Sequence, residues 1–359
     1  MLGREHSDLV ECRINDNPIL ADEKTGNCPP PEQMEDLNWC DVILISNILK
    51  FGGPYTMRVM ETAKKLGKFV HFDTDDLLTG LYPEHYLYGV YKENKLDEIT
   101  KWLYYNADLV SVTQKKFAQR IQPFCSKVIA ILRNAIDYKL PCWNEQKKEA
   151  KFTKIGWAGG THHRPDLDKI AGVPHILNQK VGRENVRWQL YGAPPPDPNK
   201  KGGWEANVWP EYLSKFLKGF AGQKNFLIYP ALPPDQYGVY YSDMDIAIAP
   251  LQMNDFNDSK SDIKVAEAGR YKMPLIASNV GCYSDTIING KTGYLIDPDA
   301  PALEWVRILT KVCKDKKLRI EMGENLHQVT EQYFDQNKVC RQRLEIYARA
   351  FQELGYKLK

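Results

Sequence analysis

The 359-residue chain has no long apolar run, no leader-like start and no closely paired cysteines, and each absence narrows its class. Nothing in it approaches the ~20 consecutive apolar residues a membrane helix needs. The opening MLGREHSDLV has no apolar core of the secretory kind, so the sequence reads as soluble and cytoplasmic, or of the host cytoplasm if the protein is viral. Eight cysteines are scattered singly at 12, 28, 40, 125, 142, 282, 313 and 340, with no CxxC pair. That spacing excludes a zinc knuckle and suits thiols kept reduced. A strong charge of either sign is also missing: 48 basic residues face 46 acidic ones. No whole-chain field attracts a polyanion, so a nucleic-acid partner is neither demanded nor excluded. There is no internal repeat, and low complexity is confined to Pro194–Gly203.

What the chain does have is alternation. The length suits two domains, each with its own core. After a Pro- and acid-rich start with one expected strand near Leu9–Ile14, apolar runs and helical stretches alternate. Strands are expected at Asp41–Asn47, Lys68–Phe72, Ala107–Thr113 and Lys127–Leu132, with helices at Tyr55–Leu66, Glu93–Tyr105 and Lys115–Ile121. This is βαβ order, hence a parallel sheet. The lysine-rich stretch Lys139–Lys154 breaks the pattern as a linker. A second series follows: strand Lys154–Ala158, helix Leu167–Gln179, strands Val186–Tyr191 and Phe226–Tyr229, and late helices Ala300–Cys313, Leu318–Glu331 and Asn337–Leu354. The domains expected are 1–150, 151–334 and a closing helix in 335–359.

The most informative stretch is Asp245–Pro298. A buried strand, Asp245–Leu251, leads through a polar loop to a helix expected to begin near Ser261, behind a Ser/Asp cluster able to cap it. Pro274 ends that helix and introduces the buried run Leu275–Ser278. A strand feeding a helix start through a polar loop is an anion site, because unpaired backbone N–H groups and the helix dipole point at the ligand. Lys260 stands at its mouth and Glu267 seven residues on, which helical spacing places on one face. A cation for phosphate and a carboxylate for a ribose diol make a nucleotide site.

This segment resembles the donor-binding half of retaining, nucleotide-sugar-dependent glycosyltransferases of the GT-B fold, glycosyltransferase family 4-like. The resemblance rests on Glu267-Ala268-Gly269, Met273-Pro274-Leu275-Ile276-Ala277-Ser278 and Gly290-Lys291-Thr292-Gly293-Tyr294-Leu295. It implies an α/β protein of two Rossmann-like domains whose parallel sheets face across a cleft, with the C-terminal helix crossing back to the first domain. It implies Glu267 on the donor ribose. Many members carry a sugar-contacting Glu eight residues earlier, where this chain has Ser259. The loop Asn257-Asp258-Ser259-Lys260-Ser261 instead resembles a subgroup with N-x-x-K-S. The likeness also places Gly159, Gly160 and Thr161 beside the donor diphosphate, with His162 or Arg164 as positive charge.

In the first domain, Asp73, Asp75 and Asp76 lie just past a strand's carboxyl end, the edge where ligands bind in open α/β sheets. Three readings stand beside one another: helix capping, a metal-binding DxD, or an acidic edge meeting the acceptor, with Asp73 foremost. Leu132-Arg133-Asn134-Ala135-Ile136-Asp137 resembles the family's turn at the end of the first domain, with Arg133 in place of Pro.

The function expected is transfer of a sugar from a nucleotide-diphosphate sugar to an acceptor hydroxyl, with Asp73, His162 and Lys260 as catalytic candidates. No metal and no cofactor beyond the donor are expected. The acceptor is a glycan, a protein or a hydroxymethylated pyrimidine in DNA. For DNA, Lys147, Lys148, Lys151, Lys154, Lys200 and Lys201 offer a basic rim. Ser259 leaves room for a protein that binds nucleotide sugars without catalysis.

Overall fold

The computed structural model describes residues 2–14, 35–49, 52–160, 163–193, 213, 215–219 and 225–356. The chain divides into two compact units. The first comprises 1–134, 258–261 and 336–359; the second comprises 135–257 and 262–335.

The first unit holds a parallel sheet of β1 (Val42–Ser46), β2 (Phe69–Asp73), β3 (Leu109–Val112) and β4 (Val128–Ile131), hydrogen-bonded in that order. Helices α1 (Gly53–Lys65), α2 (Leu96–Asn106) and α3 (Lys115–Ile121) connect them. β2 and β3 are mostly apolar, with His71 and Asp73 in β2 and Ser111 in β3 as exceptions, and are buried along almost their whole length, as strands covered on both faces must be. One face packs Val59, Met60, Leu103, Tyr104 and Phe117.

The second unit's sheet is also parallel: β5 (Thr153–Ala158), β6 (Val186–Ala193), β7 (Phe226–Pro230), β8 (Ile246–Ala249), β9 (Leu275–Ser278) and β10 (Gly293–Ile296). Its spatial order is β10-β9-β8-β5-β6-β7. The chain therefore winds outward from β5 in one direction through β6 and β7, then returns to β8 and winds outward in the other. The switch falls between β5 and β8. Helices α4 (Val173–Val181), α5 (Ile263–Arg270), α6 (Ala302–Lys314) and α7 (Lys316–Tyr333) cover the sheet. α5 and α7 approach closely: a Cβ on Gly269 would lie 1.9 Å from Thr330 Oγ1, so the position requires glycine.

The last helix, α8 (Gln336–Leu354), belongs to the first unit. Its Ile346, Tyr347, Ala350 and Phe351 cover the other face of the first sheet against Phe69, Leu109, Ala130 and Leu132.

Several expectations are corrected. Leu9–Ile14 forms no strand; Leu9 and Ile14 are exposed, and the nearby regular element is the short helix Leu2–Glu5. The helix expected at Leu167–Gln179 is two, Arg164–Asp168 and α4, separated where Gly172 takes φ 71° ahead of Pro174. The helix expected at Glu93–Tyr105 also divides, into Tyr88–Glu93 and α2, with Lys95 at φ 52°. The domain division falls after Asn134 rather than at 150, and the expected linker is partly core. Cys142 and Trp143 are buried there, and Tyr138, Tyr271 and Arg270 tie this stretch to α5: Tyr138 Oη donates to Ala266 O at 3.1 Å and Tyr271 Oη to Cys142 O at 2.7 Å.

Candidate functional site

Ligands in open α/β sheets bind outside the carboxyl ends of the strands, at the switch point. In the second unit that point is the end of β5 beside the end of β8. The β5 end carries Gly159 and Gly160, and the chain leaving β8 runs through Gln252–Asn257 toward α5. Gly159 donates its N–H to Tyr191 O, and a Cβ there would meet the Trp157 ring at 2.5 Å. Its missing side chain therefore makes room for Trp157, in addition to keeping the strand end open. Thr161 and His162 lie outside the described residues.

Asp166 organises this edge, and the sequence reading missed it. It is buried, and its Oδ2 is 2.7 Å from His163 Nδ1. Its Oδ1 accepts from Gln252 N at 2.8 Å and from Asn257 Nδ2 at 3.0 Å. One carboxylate thus pins the loop after β5 to the loop after β8. Asn257, expected to touch the ligand, is buried with its amide committed to Asp166 and to Gln252 O. The signal was present as His163 and Asp166 at i,i+3, but nothing local showed that Asp166 reaches a residue 91 positions on. Arg164 is half-buried at the start of the Arg164–Asp168 helix.

α5 begins at Ile263, two residues later than expected. Its N-cap, Asp262, makes no side-chain cap bond; its carboxylate accepts from Thr286 Oγ1 at 2.9 Å instead. Lys260 precedes the helix, so helical spacing does not relate it to Glu267. The cation that meets Glu267 is Lys264, one turn away, at 2.7 Å from Oε2. Lys264 Nζ also donates to Tyr237 Oη at 2.8 Å and to Tyr241 Oη at 3.2 Å, while Tyr241 donates its own hydroxyl to Glu267 Oε2. Burial works against the Lys264 ammonium, but Glu267 and Tyr237 outweigh it and hold its pKa above the ordinary value. Burial and the Glu267 charge push the Tyr241 hydroxyl well up, keeping it a neutral donor.

In the first unit, the loop 258–261 is anchored by ion pairs. Asp258 is buried between Lys116 and Arg120 of α3, each at 2.8 Å, and its carbonyl accepts from Gln114 Nε2 at 2.7 Å. Ser259 is fully buried, Ser261 Oγ lies 3.2 Å from Asn134 Nδ2, and Lys260 Nζ is 3.2 Å from Asp76 Oδ1. Asp73 ends β2 with both oxygens engaged: Ser111 Oγ donates to Oδ1 and Arg343 Nη2 to Oδ2, the latter at 3.4 Å. Asp75 is exposed. Among the described residues no group of three or more His, Cys, Asp or Glu is arranged to hold a metal ion. Lys154 leaves the proposed basic rim: it is buried, with Nζ 2.8 Å from Asp243. Lys200 and Lys201 lie outside the described residues.

Two parallel-sheet α/β units with a C-terminal helix returning to the first define the GT-B class. Sucrose-phosphate synthase from Thermosynechococcus elongatus superposes with a TM-score of 0.65 at 16% identity, over 90% of this chain and 77% of that one. Anabaena HepE, solved with UDP and glucose, superposes at 0.59 and 14%, over 88% and 79%. The sequence narrows the class: residues 203–329, which contain Lys264 and Glu267, match the glycosyl transferases group 1 family model. D-inositol 3-phosphate glycosyltransferase of Corynebacterium kroppenstedtii is 34% identical over 93 residues, spanning 26% of this chain and only 19% of that protein. No described helix is long and apolar enough to cross a membrane.

Proposed function

We propose that the protein is a retaining glycosyltransferase that takes a sugar from a nucleotide-diphosphate donor to an acceptor hydroxyl. The observation that carries this reading is Glu267 on α5. It is a buried carboxylate beyond the switch point, inside the segment that matches the group 1 family, with Oε2 tied and Oε1 receiving no hydrogen bond from the described residues. Such an oxygen suits a ribose hydroxyl. The N-terminus of α5, with its helix dipole, suits the diphosphate. As the sugar–phosphate bond breaks, negative charge grows on the leaving diphosphate. Fixed dipoles and a cation stabilise that charge more than they stabilise the ground state, which lowers the barrier. Lys260, three residues ahead of α5, is the cation for this task, along with His162 or Arg164 near the β5 end. Gly159, Gly160 and Thr161 give the backbone access to the phosphates. Asp73 and its neighbours Asp75 and Asp76 serve the acceptor side.

Titration with nucleoside diphosphates, followed by product analysis with nucleotide sugars, tests the reading. Glu267→Ala lowers donor affinity by about 1.5–3 kcal/mol, the range for a charge-assisted hydrogen bond. Unchanged affinity removes the ribose assignment. Donor binding with neither transfer nor hydrolysis identifies a binding protein, an outcome that Ser259 in place of a Glu permits.

A further inference from the structure

We propose that Lys264 is a positioning residue that locks Glu267 so that Oε1 alone meets the ligand's ribose hydroxyls. The proposal rests on the donor reading and concerns a residue that the helical-spacing argument did not select. An ammonium has three N–H donors. Those of Lys264 have three partners, Glu267 Oε2 at 2.7 Å, Tyr237 Oη at 2.8 Å and Tyr241 Oη at 3.2 Å. None remains for a phosphate, so this lysine is not the cation that meets the diphosphate. Its effect falls on Glu267. Oε2 accepts from both Lys264 and Tyr241, which fixes the plane of the carboxylate, and Oε1 is left as the presented acceptor.

The lock also makes Glu267 selective. A carboxylate free to rotate can offer either oxygen to whatever hydroxyl is present. One held by two donors offers one oxygen at one place, so a ligand lacking the hydroxyl there leaves Oε1, a buried acceptor, without a donor. Recognition of ribo- over deoxyribonucleotides then depends on Lys264, although Lys264 touches neither.

The test is calorimetric titration of the wild type, Lys264→Met, Lys264→Arg and Glu267→Gln with UDP, GDP and ADP and with their 2′-deoxy and 3′-deoxy forms. The wild type favours the ribonucleotide over at least one deoxy form by about tenfold, the equivalent of one charge-assisted hydrogen bond. Lys264→Met loses that preference by weakening the ribonucleotide alone, and Lys264→Arg restores part of it. Glu267→Gln must turn its amide oxygen toward Lys264 and Tyr241, which puts an NH₂ where Oε1 stood, so it loses the preference as well. In the double variant Lys264→Met/Glu267→Gln the two effects do not add. If Lys264→Met fails to fold, Tyr241→Phe removes one of the two donors to Oε2 and diminishes the same preference. Equal weakening of ribo and deoxy forms by Lys264→Met, or an unchanged preference, overturns the proposal while leaving the donor reading intact. If the wild type binds no nucleoside diphosphate, both fall.

Discussion

His71 hands a hydrogen bond to Ser111, 2.7 Å from its Nε2, and Ser111 in turn donates to Asp73. Because the serine's single hydrogen is directed at the carboxylate, the imidazole must carry its own hydrogen on Nε2. His71 Nδ1 then accepts from Tyr347 Oη at 2.7 Å. Tyr347 and Arg343 come from α8, and Arg343 returns to Asp73. The last helix therefore closes a ring of polar groups around the carboxylate at the end of β2.

This ring sets a pH response. Burial pushes His71 down to about 3, with Asp73 opposing and Arg343 adding to the shift. The unfolded chain takes up a proton near the ordinary histidine value while the native protein does not. Stability is therefore full above about pH 6.5 and is lost as pH falls toward 3. Between pH 7 and pH 4 this single group should remove on the order of 3 kcal/mol, since each pH unit contributes about 1.4 kcal/mol. Urea unfolding at the two pH values checks it, with His71→Asn as the variant in which this contribution disappears.

α8 is expected to be indispensable. Phe351 stands edge-on to Phe69 with ring centroids 4.8 Å apart, and Tyr347 stacks on Phe351. Phe351→Ala should cost about 3–5 kcal/mol, the usual cost for a buried aromatic. Deleting the residues after Gln336 should yield insoluble or inactive protein. A soluble, fully active truncation would show the helix to be a dispensable tail.

Lys260 must exchange Asp76 for the diphosphate if it serves as the donor's cation. Asp76→Asn then removes that competing carboxylate and tightens nucleoside diphosphate binding by up to about fivefold, the worth of a partly exposed ion pair. Lys260→Met weakens binding at least tenfold, as the loss of a charge-assisted bond requires. Titration of both variants with the same diphosphate decides; a tighter Lys260→Met removes Lys260 from the site.

Turnover is expected to persist in excess chelator. Asp73 already receives a donor on each oxygen, and Lys260 lies against Asp76, so these carboxylates are committed to hydrogen-bond donors and a cation. Complete loss of activity on chelation, restored by Mn²⁺ or Mg²⁺, would assign Asp73 and Asp75 to a metal.

The strands and most helices were legible from the chain because parallel strands buried on both faces are unbroken apolar runs, and helices between them carry a 3.6-residue period. The place of Glu267 on a helix that follows a strand and a loop was legible too, since that context is local. Lys264 was not. It lay on the helix as plainly as Glu267, yet choosing it over Lys260 required knowing that α5 begins at Ile263 rather than near Ser261, and helix starts are not fixed to within a residue or two by local sequence.

By itself, then, the sequence determined most of the elements, their alternation into two parallel-sheet units and the apolar stripe of the last helix, all of which follow from short-range periodicity; that this helix returns to the first unit was what the resemblance implied. Only the tertiary structure decided the order β10-β9-β8-β5-β6-β7, and with it the switch point that locates the site. It alone decided that Asp166 joins two loops, that Lys264 rather than Lys260 holds Glu267, and that Arg343 reaches Asp73 and Tyr347 reaches His71 from 270 or more residues away. Those pairings depend on which strand neighbours which and on which side chains compete for a buried partner. No period within the chain encodes either.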